Sequence, residues 1–335
     1  MTLMTDDTHD DVALAVSNLH TTIGSGPGAV RGVDGVSFTV RRGEIFGLAG
    51  ESGSGKSMTA FSILRLLPTR GRISDGSILF KGQELTTLPE AAMRKLRGDR
   101  IAMIFQDPMT SLNPVFTVGS QISEAILQHR RMSASHAQAE AIRLMEIVEI
   151  PDAASRYSAF PHQFSGGMRQ RIMIAMALSC SPDLLIADEP TTALDVTVEK
   201  QIIGFLQKLR RETGVAIMLI THNLNLLAEN SDRIAIMYAG QIVEVAPTAE
   251  IFANPRHPYT KALLRSMPRG HISQQRLVPL AGVPPRIIGK RSGCSFASRC
   301  PMAQDLCATT PELTVCGADH AARCWFVERS PQHAQ

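Results

Sequence analysis

The chain has no basic tract: 34 Lys and Arg stand against 31 Asp and Glu, a net charge of +3 spread along 335 residues. A protein that tracks a phosphate backbone needs clustered cations to release counterions, so nucleic acid gains no compositional support as a partner. Long apolar runs are missing too. Uninterrupted apolar runs such as VAIMLI at 215–220 are strand-sized, against the roughly 20 residues that cross a bilayer as a helix. The opening MTLMTDDTHDD is acidic and lacks the basic-then-apolar order of a secretory signal. The expectation is a chain that stays in the cytoplasm and crosses no membrane. Neither internal repeats nor low-complexity tracts are found. Cysteine is scarce at six, yet Cys294, Cys300, Cys307, Cys316 and Cys324 crowd the last segment. In a reducing compartment such thiols suit metal ligation or redox chemistry better than structural disulfides.

What is present is ample apolar material, 44% of residues, in a chain too long for one ordinary core. Apolar β-rich runs (VALAVSNL, GVSFTV, EIFGLAG, IAMIF, DLLIAD, VAIMLIT, RIAIMYAG) alternate with helix-like stretches at 56–67, 166–180 and 197–211. That alternation predicts an α/β domain with a largely parallel central sheet. Between Asp107 and Cys180 strand signals nearly vanish, and 118–129 and 135–149 carry helical spacing, which predicts an inserted helical subdomain. After about residue 254 Pro, Arg and Cys take over (NPRHPYT, MPRG, GVPPR), as in an appendage.

GESGSGKS, Gly50 to Ser57, lies between the strand EIFGLA and the helix-like SMTAFSILRLL. This is the strand, loop and helix context of a Walker A phosphate loop. Its glycines let successive backbone N–H groups turn toward one anion, and the helix N-terminus adds partial positive charge. Gly50, Glu51, Ser52, Gly53, Ser54, Gly55, Lys56, Ser57 and Met58 are therefore candidate nucleotide contacts. Lys56 would reach the β and γ phosphates and Ser57 would bind Mg2+. DLLIADEP, Asp183 to Pro190, is an apolar strand that ends in two carboxylates, the arrangement by which nucleotide hydrolases hold Mg2+ and orient water. Asp188 is the candidate for the metal and Glu189 for the water.

FSGGMRQR, Phe164 to Arg171, narrows the field. With it, the chain resembles ATP-binding-cassette (ABC) ATPases over residues 10–250, and its F-S-G-G-M form is usual in the peptide-importer branch. The resemblance implies that Gln106 after IAMIF is the Q-loop glutamine, with a part in Mg2+ binding. It also makes Ala193-Leu194-Asp195 the D-loop, His222 in LITHN the switch histidine, and Ser165, Gly166 and Gly167 the signature that grips a partner's ATP. The aromatic that stacks adenine in the family should fall near Ile23, where none stands. QDPMTSLNPVFTVGSQI, NPRHPYTKALLRSMP and GCSFASRCP resemble the ATP-binding subunits of oligopeptide and dipeptide ABC importers.

That resemblance implies an α/β P-loop NTPase fold, an ABC cassette with a RecA-like core, an antiparallel β subdomain and an inserted α-helical subdomain at about 107–180. The cassette would fill 1–255, and a small cysteine-rich extension of oligopeptide-importer type would fill 256–335. It implies an ATPase that powers uptake of di- or oligopeptides, with Glu189, His222, Lys56 and Gln106 catalytic. Its partners would be a second, non-identical ABC ATPase, two transmembrane permease subunits and an extracytoplasmic solute-binding protein, and its location the cytoplasmic face of the inner membrane. An importer for nickel or another small solute shares these motifs and stays open. So does a soluble ABC ATPase that uses no permease, although such proteins usually carry two cassettes or a long coiled coil.

Cys294, Cys300, Cys307 and Cys324 follow C-x5-C-x6-C-x16-C, wider than the knuckles of common structural zinc sites. Four thiolates also satisfy a four-iron four-sulfur (4Fe-4S) cluster, and in the importer family this pattern is associated with one. Zinc, free or paired thiols, and cysteines buried as small hydrophobes are the alternatives. Cys316 would be an extra thiol and His320 a substitute ligand, while Cys180 reads as core.

Overall fold

The computed structural model describes residues 11–192, 194–267, 282–285, 287–289 and 291–327. In chain order the strands are β1 (Val12–Ile23), β2 (Val30–Arg41), β3 (Ile45–Ala49), β4 (Gly71–Phe80), β5 (Gln83–Glu84), β6 (Ile101–Ile104), β7 (Leu184–Asp188), β8 (Ala216–Thr221), β9 (Arg233–Tyr238), β10 (Gln241–Pro247), β11 (Thr314–Gly317) and β12 (His320–Ala322). The helices are α1 (Lys56–Ile63), α2 (Glu90–Leu96), α3 (Pro108–Ser111), α4 (Val118–His129), α5 (Ala134–Ile147), α6 (Ala153–Arg156), α7 (Gly166–Leu178), α8 (Val196–Thr213), α9 (Leu224–Asn230), α10 (Thr248–Ala253) and α11 (Pro258–Arg265). They form two compact units, one of Leu14–Thr39, Ile45–Thr86 and Leu219–Gln335, the other of Met1–Ala13, Val40–Glu44 and Thr87–Met218.

The first unit carries an antiparallel sheet in the order β2-β1-β4-β5, with Leu14 opposite Phe80 and Ile23 opposite Gly71. It also carries the run β11-β12-β10-β9-β3. Here β3 and β9 are parallel, whereas β9-β10, β10-β12 and β11-β12 are antiparallel. The parallel sheet expected from the sequence thus continues into an antiparallel part. Its last hairpin, Thr314–Gly317 with His320–Ala322, comes from the cysteine-rich segment, where Glu244 pairs with Ala322. A second attachment is the antiparallel bridge between Val30 and Ile288.

Aromatic packing joins this segment to the sheet. Tyr238, Tyr259 and Phe296 are fully buried, with ring centroids 4.6 Å apart for the tyrosines and 5.4 Å from each tyrosine to Phe296. Such tilted and edge-on contacts add to the area buried. Nearby, the buried Glu244 accepts from His320 Nε2 at 2.8 Å and from the N–H groups of Arg256 at 2.6 Å and His257 at 2.9 Å. Burial alone would raise its carboxyl, but these donors outweigh it and hold Glu244 below the usual carboxylate range.

The second unit pairs β6 and β7 in parallel, Ile101 opposite Leu184. Between them, residues 107–180 form only helices and turns among the described residues. Thr117 caps α4, Ser133 caps α5 and Ser165 caps α7, each side chain accepting a backbone N–H. α4 and α5 pack together and both meet α7, and Tyr157 lies over Gly119, where any Cβ would stand 2.2 Å from its ring. Cys180 is core, 1% exposed. α1 is shorter than the 56–67 stretch foretold, because Arg65 takes φ 52° beyond its last turn.

His257 gives the first unit an acid-sensitive element. Its Nδ1 accepts the Tyr259 N–H at 3.0 Å, and burial pulls it down from 6.5 to about 4 against the opposing charge of Glu244. An unfolded chain takes this proton near 6.5, while the folded one refuses it until about 4. The stabilisation is therefore complete above 6.5 and lost as pH falls toward 4. From pH 7 to pH 5 unfolding by urea should become easier by up to about 2 kcal/mol. His257→Asn, which keeps an acceptor for Tyr259, should flatten that dependence; a midpoint unchanged with pH in the parent chain would contradict it.

Candidate nucleotide-binding site

The phosphate loop leaves β3 at Ala49 and enters α1 at Lys56. Gly50 has φ 154° and Gly55 φ 106°. A Cβ on Gly50 would stand 2.2 Å from the Met237 carbonyl oxygen, and one on Gly55 2.4 Å from that of Gly32. Both positions therefore require glycine, for backbone angle and for space. Ser54 N–H closes a turn on the Glu51 carbonyl at 3.1 Å, and Gly240 N–H ties the Ser54 carbonyl at 2.8 Å. The Ser54 hydroxyl is buried with no hydrogen-bond partner among the described residues. Ser52 and Gly53 are exposed, Ser57 and Met58 half-buried. The Lys56 ammonium is buried and donates to the carbonyls of Gly50 at 2.8 Å and Glu51 at 3.1 Å. A cation, a helix start and turned N–H groups on one short loop make an anion cradle.

In the other unit every residue of β7 is buried, and Asp188 at its end is 2% exposed. Glu189 follows with φ 47°, a costly conformation for a residue with a side chain and one that concentrates at working sites. Its Oε2 accepts from Gln106 Nε2 at 3.1 Å and from the Thr192 hydroxyl at 2.8 Å. The sequence pointed to Gln106; Thr192 it missed, though a hydroxyl three residues past a strand-end carboxylate suits such a turn. Within this unit Asp188 and Gln106 offer hard oxygen donors of the kind Mg2+ takes. The Ser165 hydroxyl accepts the Met168 N–H at 3.3 Å, so the exposed Gly166 and half-buried Gly167 open α7 with N–H groups at its start. A Cβ on Gly167 would stand 3.0 Å from Val198.

His222 is exposed directly after β8, and Asn223 beside it caps α9. Ile23 is the half-buried last residue of β1. Asp195 caps α8 by accepting the Val198 N–H at 2.9 Å; Ala193 of the proposed D-loop lies outside the described residues.

Residues 33–192 match the ABC transporter family, and residues 243–307 the oligopeptide/dipeptide transporter C-terminal region. The dipeptide transport ATP-binding protein DppD of Bacillus subtilis (strain 168) is 48% identical over 96% of this chain and 96% of its own length. This chain belongs to the ABC transporter ATP-binding family. The oligopeptide transport ATP-binding protein OppD of Salmonella typhimurium (strain LT2) is 45% identical over 94% of each chain. A solved ABC cassette dimer in a post-hydrolysis state, with ADP and Pi bound, superposes with a TM-score of 0.64 at 26% identity over 70% of this chain and 98% of its own.

In this ABC ATPase Cys294, Cys300 and Cys324, three of the four cysteines expected to act together, each have cysteine neighbours close enough to bear on their charge. Burial pushes the thiols of Cys294, Cys300 and Cys324 up, and the charges of their cysteine neighbours push them further. Cys316 stands apart, raised by burial and by Glu244, and His320 is engaged with Glu244. Among the described residues, however, no three His, Cys, Asp or Glu side chains are grouped to hold a metal ion. As placed, the thiols form no ready zinc or iron–sulfur ligand set, and the expected 4Fe-4S cluster finds no support in their arrangement.

The ABC sequence pattern also gave no role to Tyr259 and Arg299. The Glu51 N–H donates to the Tyr259 hydroxyl at 3.1 Å, and Arg299 makes a forked pair with the Glu51 carboxylate, Nη1 to Oε2 at 3.0 Å and Nη2 to Oε1 at 3.3 Å. The HPYT stretch and the cysteine segment had marked a subfamily only, because partners 208 and 248 residues away leave no local pattern.

Gly50→Ala should lower ATP affinity of the full chain by an order of magnitude or more, since its Cβ would displace the loop from Met237. Equilibrium titration with ATP measures this; affinity within about twofold of the parent would mean the cradle does not need that contact.

Proposed function

We propose that this ABC ATPase binds and hydrolyses ATP to drive uptake of di- or oligopeptides through a membrane importer. What carries the reading is similarity to dipeptide and oligopeptide transport ATP-binding proteins along nearly the whole chain, C-terminal region included.

The β and γ phosphates would accept from the Lys56 ammonium and from N–H groups of the loop and the start of α1, those of Glu51 and Ser54 being engaged on Tyr259 and on the loop itself. Ser57, Gln106 and Asp188 would hold Mg2+, which neutralises phosphate charge. Glu189 orients the attacking water for in-line displacement at the γ-phosphorus and accepts its proton, while the bond to the β–γ bridging oxygen breaks. The hydrogen bonds from Gln106 and Thr192 aim its carboxylate. His222 and Lys56 meet the charge that builds on the γ oxygens. Ser165, Gly166 and Gly167 would grip the γ-phosphate bound by a second ATPase subunit, so that two ATP molecules close the pair and hydrolysis releases it.

Two permease subunits would receive this motion and an extracytoplasmic binding protein would deliver the peptide. Val115 is 70% and Phe116 54% exposed just past Gln106, an apolar surface suited to a coupling helix of the permease. No described helix is long and apolar enough to cross a membrane, which suits a peripheral subunit at the cytoplasmic face of the inner membrane.

The C-x5-C-x6-C-x16-C spacing of Cys294, Cys300, Cys307 and Cys324, with the resemblance to peptide importers, motivates one further reading, a 4Fe-4S cluster whose binding would have to draw the four thiols together. Protein purified without oxygen should then contain iron and acid-labile sulfide and absorb broadly in the visible; a colourless, iron-free and fully active complex would reject it. No step above runs through such a cluster.

In the assembled complex Glu189→Gln should retain ATP binding while steady-state hydrolysis falls by about a hundredfold or more. A rate equal to that of the parent would reject Glu189 as the group that acts on water.

A further inference from the structure

An anion cradle is a poor place for a carboxylate, yet Glu51 is the second residue of the phosphate loop. At the distances of one loop a full negative charge beside a triphosphate costs binding unless it is cancelled, the more so where solvent is partly excluded. Glu51 is only 25% exposed, and the Arg299 side chain that faces it is 5% exposed. The guanidinium meets both carboxylate oxygens, at 3.0 and 3.3 Å, a bidentate geometry that fixes direction as well as charge.

Arg299 is itself held in place. Its Nη1 also donates to the Tyr238 hydroxyl at 3.2 Å, and its guanidinium carbon lies 5.7 Å from the centre of that ring. Tyr238 is packed against Tyr259 and Phe296. The hydroxyl of Tyr259, pushed up by burial and so protonated at neutral pH, accepts the Glu51 N–H at 3.1 Å. Residue 51 is thus held at backbone and side chain from the same aromatic cluster, and Arg299 reaches it from the short turn Ala297–Arg299 inside the cysteine-rich segment. Every one of these residues lies in one compact unit.

We propose that Arg299 is a positioning residue for ATP, cancelling the Glu51 carboxylate at the phosphate loop and fixing that loop together with Tyr259. The proposal rests on the ATPase reading of the loop. It gives the C-terminal segment a task at the nucleotide site that requires no metal.

The test is titration of the full-length chain with Mg-ATP and Mg-ADP. Arg299→Ala should weaken ATP about tenfold and ADP less, because the exposed carboxylate repels the larger charge more strongly. Glu51→Gln keeps an acceptor for Arg299 but removes the charge; alone it should tighten ATP, and joined to Arg299→Ala it should restore affinity to within about threefold of the parent. A packing role for Arg299 predicts the opposite pattern, equal losses for both nucleotides and no recovery in the double variant, and that result would overturn the proposal. So would an Arg299→Ala chain that binds ATP as the parent does. Thermal melts check folding; should Arg299→Ala not fold, Glu51→Gln decides, tighter ATP binding supporting the proposal and unchanged or weaker binding overturning it. A parent chain that binds no ATP would instead sink the ATPase reading itself.

Discussion

The carbonyl oxygens of Met237 and Gly32 approach Gly50 and Gly55 so closely that no side chain fits at either position. That contact presses the phosphate loop against β9 and the start of β2, and it converts a glycine-rich turn into a fixed set of N–H donors. An oriented cradle binds better than a mobile one because the ordering cost has been met in folding. The buried Lys56, held by carbonyls of the same loop, is fixed by the same constraint.

A second consequence runs through β9. Met237 backs the loop, while the next residue, Tyr238, is the floor of the aromatic cluster and a partner of Arg299. One strand therefore supports the cradle from beneath and orients the group that neutralises it from the side. The C-terminal hairpin, by pairing with β10, extends the sheet that contains this strand. The segment that looked in the sequence like an appendage shares hydrogen bonds, rings and charge with the nucleotide-binding unit.

What the sequence revealed follows from how local each feature is. The loop at 50–57, the strand end at 188–189 and the start of α7 are contiguous motifs whose chemistry lies in a few adjacent residues, and each was legible. So were α4 and α5, where Thr117 and Ser133 cap helices of plain amphipathic spacing. The partners of Glu51, the pairing of β12 with β10 and the bridge from Val30 to Ile288 join residues far apart in the chain, and no periodicity encodes them. β4, GRISDGSILF, was obscured by its glycines and polar residues; Gly76 is required there because Asn18, with φ 47°, brings its carbonyl within 2.4 Å of where a Cβ would lie. The thiols show the converse. Their spacing suggested a cluster, but spacing does not fix side-chain direction, and the described residues contain no grouped ligand set.

In the proposed importer the solute would pass through the permease, so only transport itself joins the nucleotide chemistry to its cargo. The direct measurement is ATP hydrolysis and uptake in sealed vesicles that contain this chain with the proposed permease and second ATPase, with binding protein and solute added outside. The account predicts hydrolysis and accumulation that rise together with di- or oligopeptides and not with nickel. Hydrolysis indifferent to peptide, or driven by another solute, would contradict it.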